Sequence, residues 1–191
     1  MSKIPQPDGD EEIFAQGDIV EIIRQPMKIG ENRTTFEIAR RAPGTRLIIV
    51  ENERMLLTDE YRHEIGCRDI RLPGGKVFDS LENYNSFLEK GKKIVPKARE
   101  AAKTEAVEEA GIKPSEVKLF KKNHSGATVE WNLYYFIVED FEKVKQDTEL
   151  GESIEADWYS FDEVKEMCLN GEVQEDRTVG ALLQFLGRFS E

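Results

Sequence analysis

A mixed α/β sandwich is the fold class this sequence predicts, on three observations. Short β-branched and aromatic segments come first, one Ala- and Glu-rich helix follows, and more strands and two late helices close the chain. Strand-like and helix-like patterns succeed one another without an internal repeat or a low-complexity tract. The 191 residues, 39% apolar and 34% charged, suit one ordinary domain, or one domain with a small addition, and a soluble surface.

Taken in order, residues 1–12 are polar, with Pro5, Pro7 and an acidic run, and are expected to fray. Residues 13–44 form an N-terminal β region, with strands expected at 19–23 and 34–41. The main domain spans 45–191. Residues 45–50 are uniformly apolar, as a buried strand is, and 54–61 follow after a short turn, which suggests a hairpin. A brief extended piece at 69–72 ends at Pro73-Gly74-Gly75, a strong turn signal. Residues 78–95 are polar and read as an insertion holding one short helix. Pro96 suits a first helical turn and Gly111 a stop, so 96–110 is a helix. Strands are expected at 117–121, 129–138 and 156–159, and helices at 161–169 and 178–189. Trp131 and Trp158 fall in strand patterns, which favours core packing over base stacking.

The net charge of −11 gives the chain little attraction for nucleic acid or anionic lipid. No apolar run reaches the roughly 18 residues of a membrane helix, and the start carries no apolar signal region. Cys67 and Cys168 make no disulfide framework and read as reduced thiols, which suits the cytoplasm. His63 and His124 are too few for a His-rich zinc site and read as surface or loop residues.

The most informative stretch is 98–112, AREAAKTEAVEEAGI. At about 100° per residue, Glu105, Glu108 and Glu109 share one helix face, while Ala102, Ala106 and Ala110 offer a smooth packing stripe. Three carboxylates on one face repel, and a hard divalent cation such as Mg²⁺ or Mn²⁺ removes that repulsion. Read alone, the segment is first of all an acidic, solvated face on a surface helix.

Following Leu72-Pro73-Gly74-Gly75-Lys76, however, the helix resembles the signature of the Nudix hydrolase family: a Gly, five residues, a Glu, seven residues, then Arg-Glu-apolar-x-Glu-Glu-x-Gly-apolar. Gly75 takes the opening position, and Glu105, Ala106, Glu108, Glu109, Gly111 and Ile112 the second half. The resemblance implies a Nudix-type α/β/α sandwich with a mixed sheet. Three departures accompany it. Glu105 follows Gly75 by 30 positions where the signature allows 15, so about 15 residues are inserted. Thr104 stands where the family has Arg, and Pro96 where it has its earlier Glu. In the family those two residues orient the metal site; Lys103 or Arg99 is a candidate for the missing cation.

Outside the signature, residues 36–186 resemble the ADP-ribose pyrophosphatase branch, through Arg40-Arg41, Leu56-Leu57-Thr-Asp-Glu-Tyr61-Arg62, Ser125-Gly126, an acidic stretch from Glu149 to Glu155, and Asp176-Arg177-Thr178. The resemblance implies Mg²⁺-dependent hydrolysis of the pyrophosphate bond of ADP-ribose or another nucleoside diphosphate sugar. It makes Glu105, Glu108, Glu109 and the Gly74 carbonyl the metal ligands. Glu108, Glu109 and Glu152 become the catalytic carboxylates, with Glu152 closing the site or taking the proton. Arg41, Arg62 and Gly75 become substrate contacts; Arg40 and Arg46 are further candidates by position. It also implies that residues 13–44 support a two-fold homodimer. Two other readings stay open: hydrolysis of a nucleoside triphosphate, a dinucleoside polyphosphate or a GDP-sugar, and a Nudix-fold sensor that binds nucleotide sugars without cutting them.

Overall fold

A computed structural model describes residues 4–63, 65–147 and 154–189. The chain begins with β1 (Gln6–Pro7), β2 (Glu12–Gln16), β3 (Val20–Ile29), β4 (Asn32–Arg41), β5 (Gly44–Glu51), β6 (Arg54–Arg62) and β7 (Cys67–Arg71). Helices α1 (Leu81–Glu89) and α2 (Ile94–Glu108) follow, then β8 (Ile112–Pro114), β9 (Lys118–Asn123), β10 (Val129–Glu130), β11 (Leu133–Val138) and β12 (Phe141–Lys143). Strand β13 (Ile154–Ser160) and helices α3 (Phe161–Asn170) and α4 (Asp176–Leu186) complete it. These pack into two compact units.

The first unit gathers 4–43, 78–92 and 124–132. Its sheet runs β1-β3-β4-β10, with β2 also on β3. Strands β3 and β4 form one antiparallel ribbon, paired from Val20–Arg41 to Ile29–Asn32. The terminus expected to fray is ordered from Gln6: β1 pairs with Met27 and Lys28, and Asp8 pairs with Arg33 at 2.7 Å. The insertion contributes α1, capped by the Ser80 hydroxyl, which accepts from the Asn83 N–H. Its Leu81 and Tyr84 are buried, and Phe78 packs on Tyr84 and Phe87.

The second unit gathers 44–77, 93–123, 133–147 and 154–189. Its six-stranded mixed sheet runs β13-β6-β5-β11-β9, with β7 also on β6. Among the described residues, only β5 and β11 run parallel within it. The expected hairpin is β5–β6, and its turn residues Asn52 and Glu53 both have positive φ, 52° and 58°. Leu47, Ile48, Ile49, Met55, Tyr135 and Phe136 are fully buried. Helix α2 packs on β5 and β11 through Ala98, Ala102 and Ala106, each fully buried; a larger side chain at these points would hold the helix off the sheet. Helix α3 rests on β13 and β6 and starts in a capping box between Ser160 and Glu163. Helix α4 packs on α3 and buries Thr178, Ala181, Leu182, Phe185 and Leu186. The mixed sheet with packed helices is the fold class expected.

Several boundaries differ from expectation: β3 runs on to Ile29, past the predicted 19–23, α2 starts at Ile94, two residues before Pro96, and α4 ends at Leu186 rather than at 189. The apolar run 129–138 is not one strand: β10 runs parallel to β4, while β11 runs parallel to β5. Helix α4 starts two residues early, at Asp176, where the Glu175 carbonyl accepts from the Thr178 and Val179 N–H groups.

Candidate active site

The turn after β7 is fastened to strand β5 by backbone hydrogen bonds. The Thr45 N–H donates to the Gly75 carbonyl at 2.9 Å, and the Leu47 N–H to the Pro73 carbonyl at 2.8 Å. This contact leaves no room for side chains. A Cβ on Gly74, whose φ is +141°, would lie 2.3 Å from the Thr45 carbonyl oxygen. One on Gly75 would lie 2.0 Å from Glu105 Oε1.

The same turn meets the carboxylate helix. The Gly74 N–H donates to Glu109 Oε2 at 2.6 Å, and Glu105 lies against Gly75. Glu105, Glu108 and Glu109 are all half-buried on the last turn and a half of α2. Helix packing through the alanine stripe therefore sets these acids beside the glycine turn, 30 positions upstream.

The replaced family positions behave as plain helix surface. Thr104 is exposed, and its hydroxyl donates back to the Glu100 carbonyl at 3.4 Å. Neither cation suggested as a substitute turns to the turn or its acids. Arg99 Nε donates to the Val117 carbonyl, and Lys103 pairs with Glu100, because both leave the helix on other faces. Among the described residues, a cation that does reach the turn is Arg46. Its Nη1 donates to the Gly74 and Thr45 carbonyls, both at 2.9 Å.

Arg46 is only 6% exposed. Around it lies a charged cluster drawn from β6, β7 and the start of α4. Arg62 pairs with Glu60 at 2.6 Å, and Arg71 pairs with the buried Asp69. Glu175 accepts from the Thr178 hydroxyl at 2.6 Å and pairs with Arg177 at 2.9 Å. Burial pushes the Glu175 carboxyl up, but Arg46, the Thr178 hydroxyl, Arg177 and Arg71 outweigh it and hold it below its ordinary value. Burial also pushes the Tyr135 phenol, beside this cluster, up to about 12.

Of the residues predicted from sequence, Gly74, Gly75, Glu105 and Glu109 are brought together, with Glu108 on the same helical turn. Arg62 joins the charged cluster instead. Arg41 belongs to the first unit, where its guanidinium lies 4.3 Å over the Trp131 ring. Arg40 is engaged there by Glu11, Glu21 and Glu130, at 3.0, 3.5 and 3.0 Å. Trp158 stacks on Phe141, so it packs as expected. His63 and His124 are exposed, and both cysteines are free. Glu152 lies outside the described residues. Sequence reading missed Arg71 and Glu175, which carry no local motif; Arg177 was noted only within the Asp176-Arg177-Thr178 pattern.

Among the described residues, no three His, Cys, Asp or Glu side chains converge as a ready metal cage. The donors at the turn are carboxylates and a carbonyl, the hard-oxygen chemistry that Mg²⁺ and Mn²⁺ accept. The Gly74 carbonyl, already accepting from Arg46, keeps a second lone pair. Also among the described residues, no helix is long and apolar enough to cross a membrane.

Comparison with known proteins agrees with this layout. A crystal structure described as ADP compounds hydrolase superposes with a TM-score of 0.74 at 16% identity, covering 99% of this chain and 95% of that one. The CMP-5'-(N-acetyl-N-hydroxy-3-aminopropyl)phosphonate hydrolase of Streptomyces rubellomurinus is 30% identical over 151 residues. That match takes in 77% of this chain and 66% of the relative's length, just short of two thirds. The NUDIX domain model matches residues 40–181, a span that holds the glycine turn, the carboxylate helix and the charged cluster, and on that match the chain belongs to the NUDIX family.

Proposed function

We propose that this chain is a divalent-metal-dependent Nudix hydrolase that cuts the pyrophosphate bond of ADP-ribose or a related nucleoside diphosphate sugar. The products are a nucleoside monophosphate and a sugar phosphate. The observation that carries the reading is the interlock of turn and helix: the Gly74 N–H on Glu109 at 2.6 Å, with Glu105 against Gly75. Family members generally use a divalent metal ion. Glu105, Glu108, Glu109 and the Gly74 carbonyl would hold it, with Mg²⁺ or Mn²⁺ the fit by donor chemistry. Such an ion supplies charge neutralisation for a diphosphate and makes water more acidic. Water attacks one phosphorus, the bond from that phosphorus to the bridging oxygen breaks, and the oxygen leaves on the other phosphate. Glu152 takes the proton of the attacking water. Arg62 offers a planar fork to the phosphates, Gly75 gives close access along the backbone, and Arg41 is a further substrate contact.

The ADP compounds hydrolase likeness supports the fold, and the 30% relative supports a nucleotide joined to a second phosphorus group. We read the setting as cytoplasmic, with no nucleic-acid or membrane partner. The protein is proposed to be a homodimer through 13–44, a reading supported by Ile13, Phe14 and Ile19, each more than half exposed.

The test is product analysis with Mg²⁺ over ADP-ribose, GDP-mannose, NADH, a dinucleoside polyphosphate, nucleoside triphosphates and a CMP-linked phosphonate. AMP and ribose 5-phosphate from ADP-ribose are expected. Glu109→Gln should lower kcat by more than the roughly 10–100-fold that loss of an outer supporting residue costs. Turnover unchanged by that substitution would remove the helix from the mechanism. Unchanged nucleotide binding with no turnover in the wild type would favour the sensor reading.

A further inference from the structure

The carboxylate helix ends against its own electrostatics. Glu105, Glu108 and Glu109 crowd the end at which the helix dipole is already negative, and the last turn of α2 holds no basic residue. Glu108 is the final residue of α2 and Glu109 its C-cap, the positions at which a helix frays first. Neutral donors from the stretch after β12 fasten this end instead. The Val144 N–H donates to the Gly111 carbonyl at 2.9 Å. Two residues on, the half-buried Gln146 donates from Nε2 to the Glu109 carbonyl at 2.7 Å and to the Ile154 carbonyl at 3.4 Å. Both partners are acceptors, so they match the two N–H groups of one side-chain amide. The approach is close. A Cβ on Gly111, whose φ is +62°, would lie 2.9 Å from the Val144 carbonyl oxygen and 3.3 Å from the Gln146 main-chain nitrogen.

We propose that Gln146 is a positioning residue for the carboxylates of α2, an inference that rests on the metal-dependent hydrolase reading for what those carboxylates do. Gln146 ties the Glu109 main chain to Ile154, which opens β13 and stands opposite Glu60 of β6. The Glu109 carboxylate in turn accepts from the Gly74 N–H at 2.6 Å. Glu109 is thus held at both ends, its backbone by Gln146 and its side chain by the glycine turn. This clasp sets the direction of Glu108 and Glu109 before a cation arrives, so that less ordering opposes cation binding. A carboxamide suits the task. It satisfies two carbonyls without adding a positive charge that would compete with a metal ion for the acids. Gln146 acts only through Glu109 and touches neither ion nor substrate in this role.

The test compares wild type with Gln146→Met, which fills similar space without an N–H donor. In metal-free protein, amide hydrogen exchange over 106–111 should quicken about fivefold, the equivalent of one hydrogen bond. Titration with Mn²⁺, followed by the EPR signal of the free ion, should show about tenfold weaker binding, as loss of a residue supporting a ligand does. With ADP-ribose and saturating Mg²⁺, kcat should fall about tenfold while KM stays within about twofold. Gln184→Met, an exposed α4 position bonded to Lys121, should change none of these. Where Gln146→Met fails to fold by circular dichroism, Gln146→Asn, one methylene shorter, carries the same test. Exchange, Mn²⁺ affinity and kcat all equal to wild type overturn the proposal and leave the hydrolase reading standing. Faster exchange with unchanged Mn²⁺ affinity and kcat makes Gln146 a structural brace and also overturns it. A raised KM with unchanged kcat would make Gln146 a substrate contact instead. Weaker Mn²⁺ binding by Gln146→Met, in a protein that turns over no nucleotide, overturns the hydrolase reading and leaves the positioning role standing. Wild-type protein that binds no Mn²⁺ overturns both.

Discussion

Each unit buries a cluster of charges, and the two clusters are balanced in opposite ways. In the first unit one arginine serves three acids: Arg40 pairs with Glu11, Glu21 and Glu130. Glu21 is 1% exposed and also accepts from the Asn85 side chain on α1. Burial works against the Arg40 charge, but Glu130 and Glu11 outweigh it and raise its pKa. In the second unit Arg46, Arg62 and Arg71 crowd together, and burial with the neighbouring cations lowers the pKa of Arg71. The first cluster is complete within its own unit. It ties the segment before β2 to β3, β4, β10 and α1, which is a structural task. Among the described residues, the second gives Arg62 and Arg71 one acid each and leaves Arg46 on two backbone carbonyls.

Substitutions should separate the two. The largest effect is expected for Arg40→Ala, which strands the buried Glu21. Loss of one member of a buried pair costs about 3–5 kcal/mol, and urea denaturation should show a loss of that order. A loss below about 1 kcal/mol would mean that Asn85 and solvent already satisfy Glu21.

Glu175→Gln should cost less, about 1–3 kcal/mol at neutral pH, as loss of a charged hydrogen-bond acceptor does. The sign with pH follows from its depressed pKa. The Glu175 contribution is fully present above the ordinary value of 4.5 and is lost as pH falls from there through the folded-state value. The stability gap between wild type and variant should therefore close in acid. A gap independent of pH would show that packing, not charge, makes the difference. Smallest is Arg68→Gln. Its exposed pairs with Asp59 and Glu155 should give no measurable change in denaturation midpoint.

Much of the site was legible because its signals are local. Pro73-Gly74-Gly75 marks a turn and Glu105 to Glu109 a helix face, and short-range chemistry decides both. The alanine spacing foretold part of how α2 meets its sheet: Ala102 and Ala106 are buried as expected, while Ala110 lies past the helix end and Ala98 completes the stripe. Pairing between distant segments was not legible. Strands β1, β8 and β12 have two or three residues each, too few for a periodic pattern, and exist through their partners. The 129–138 run reads as one strand by composition, yet it is divided by the two strands it pairs with. Arg46, Arg71 and Glu175 come from three separate elements and meet only by folding. Arg99 and Lys103 were plausible by sequence distance, but the helical turn points them elsewhere.

The path of the chain between the units has a practical consequence. Three separate stretches make up the first unit, so a cut after Pro43 does not divide the protein into two pieces that can be made apart. Removing residues 4–43 would take away β3 and β4 while leaving α1 and β10 behind. Those remnants would keep Asn85 without Glu21 and Glu130 without Arg40. A two-part version of this protein therefore has to be spliced at the loops flanking 78–92 and 124–132 as well. A shortened form with one cut is expected to be sticky and prone to proteolysis.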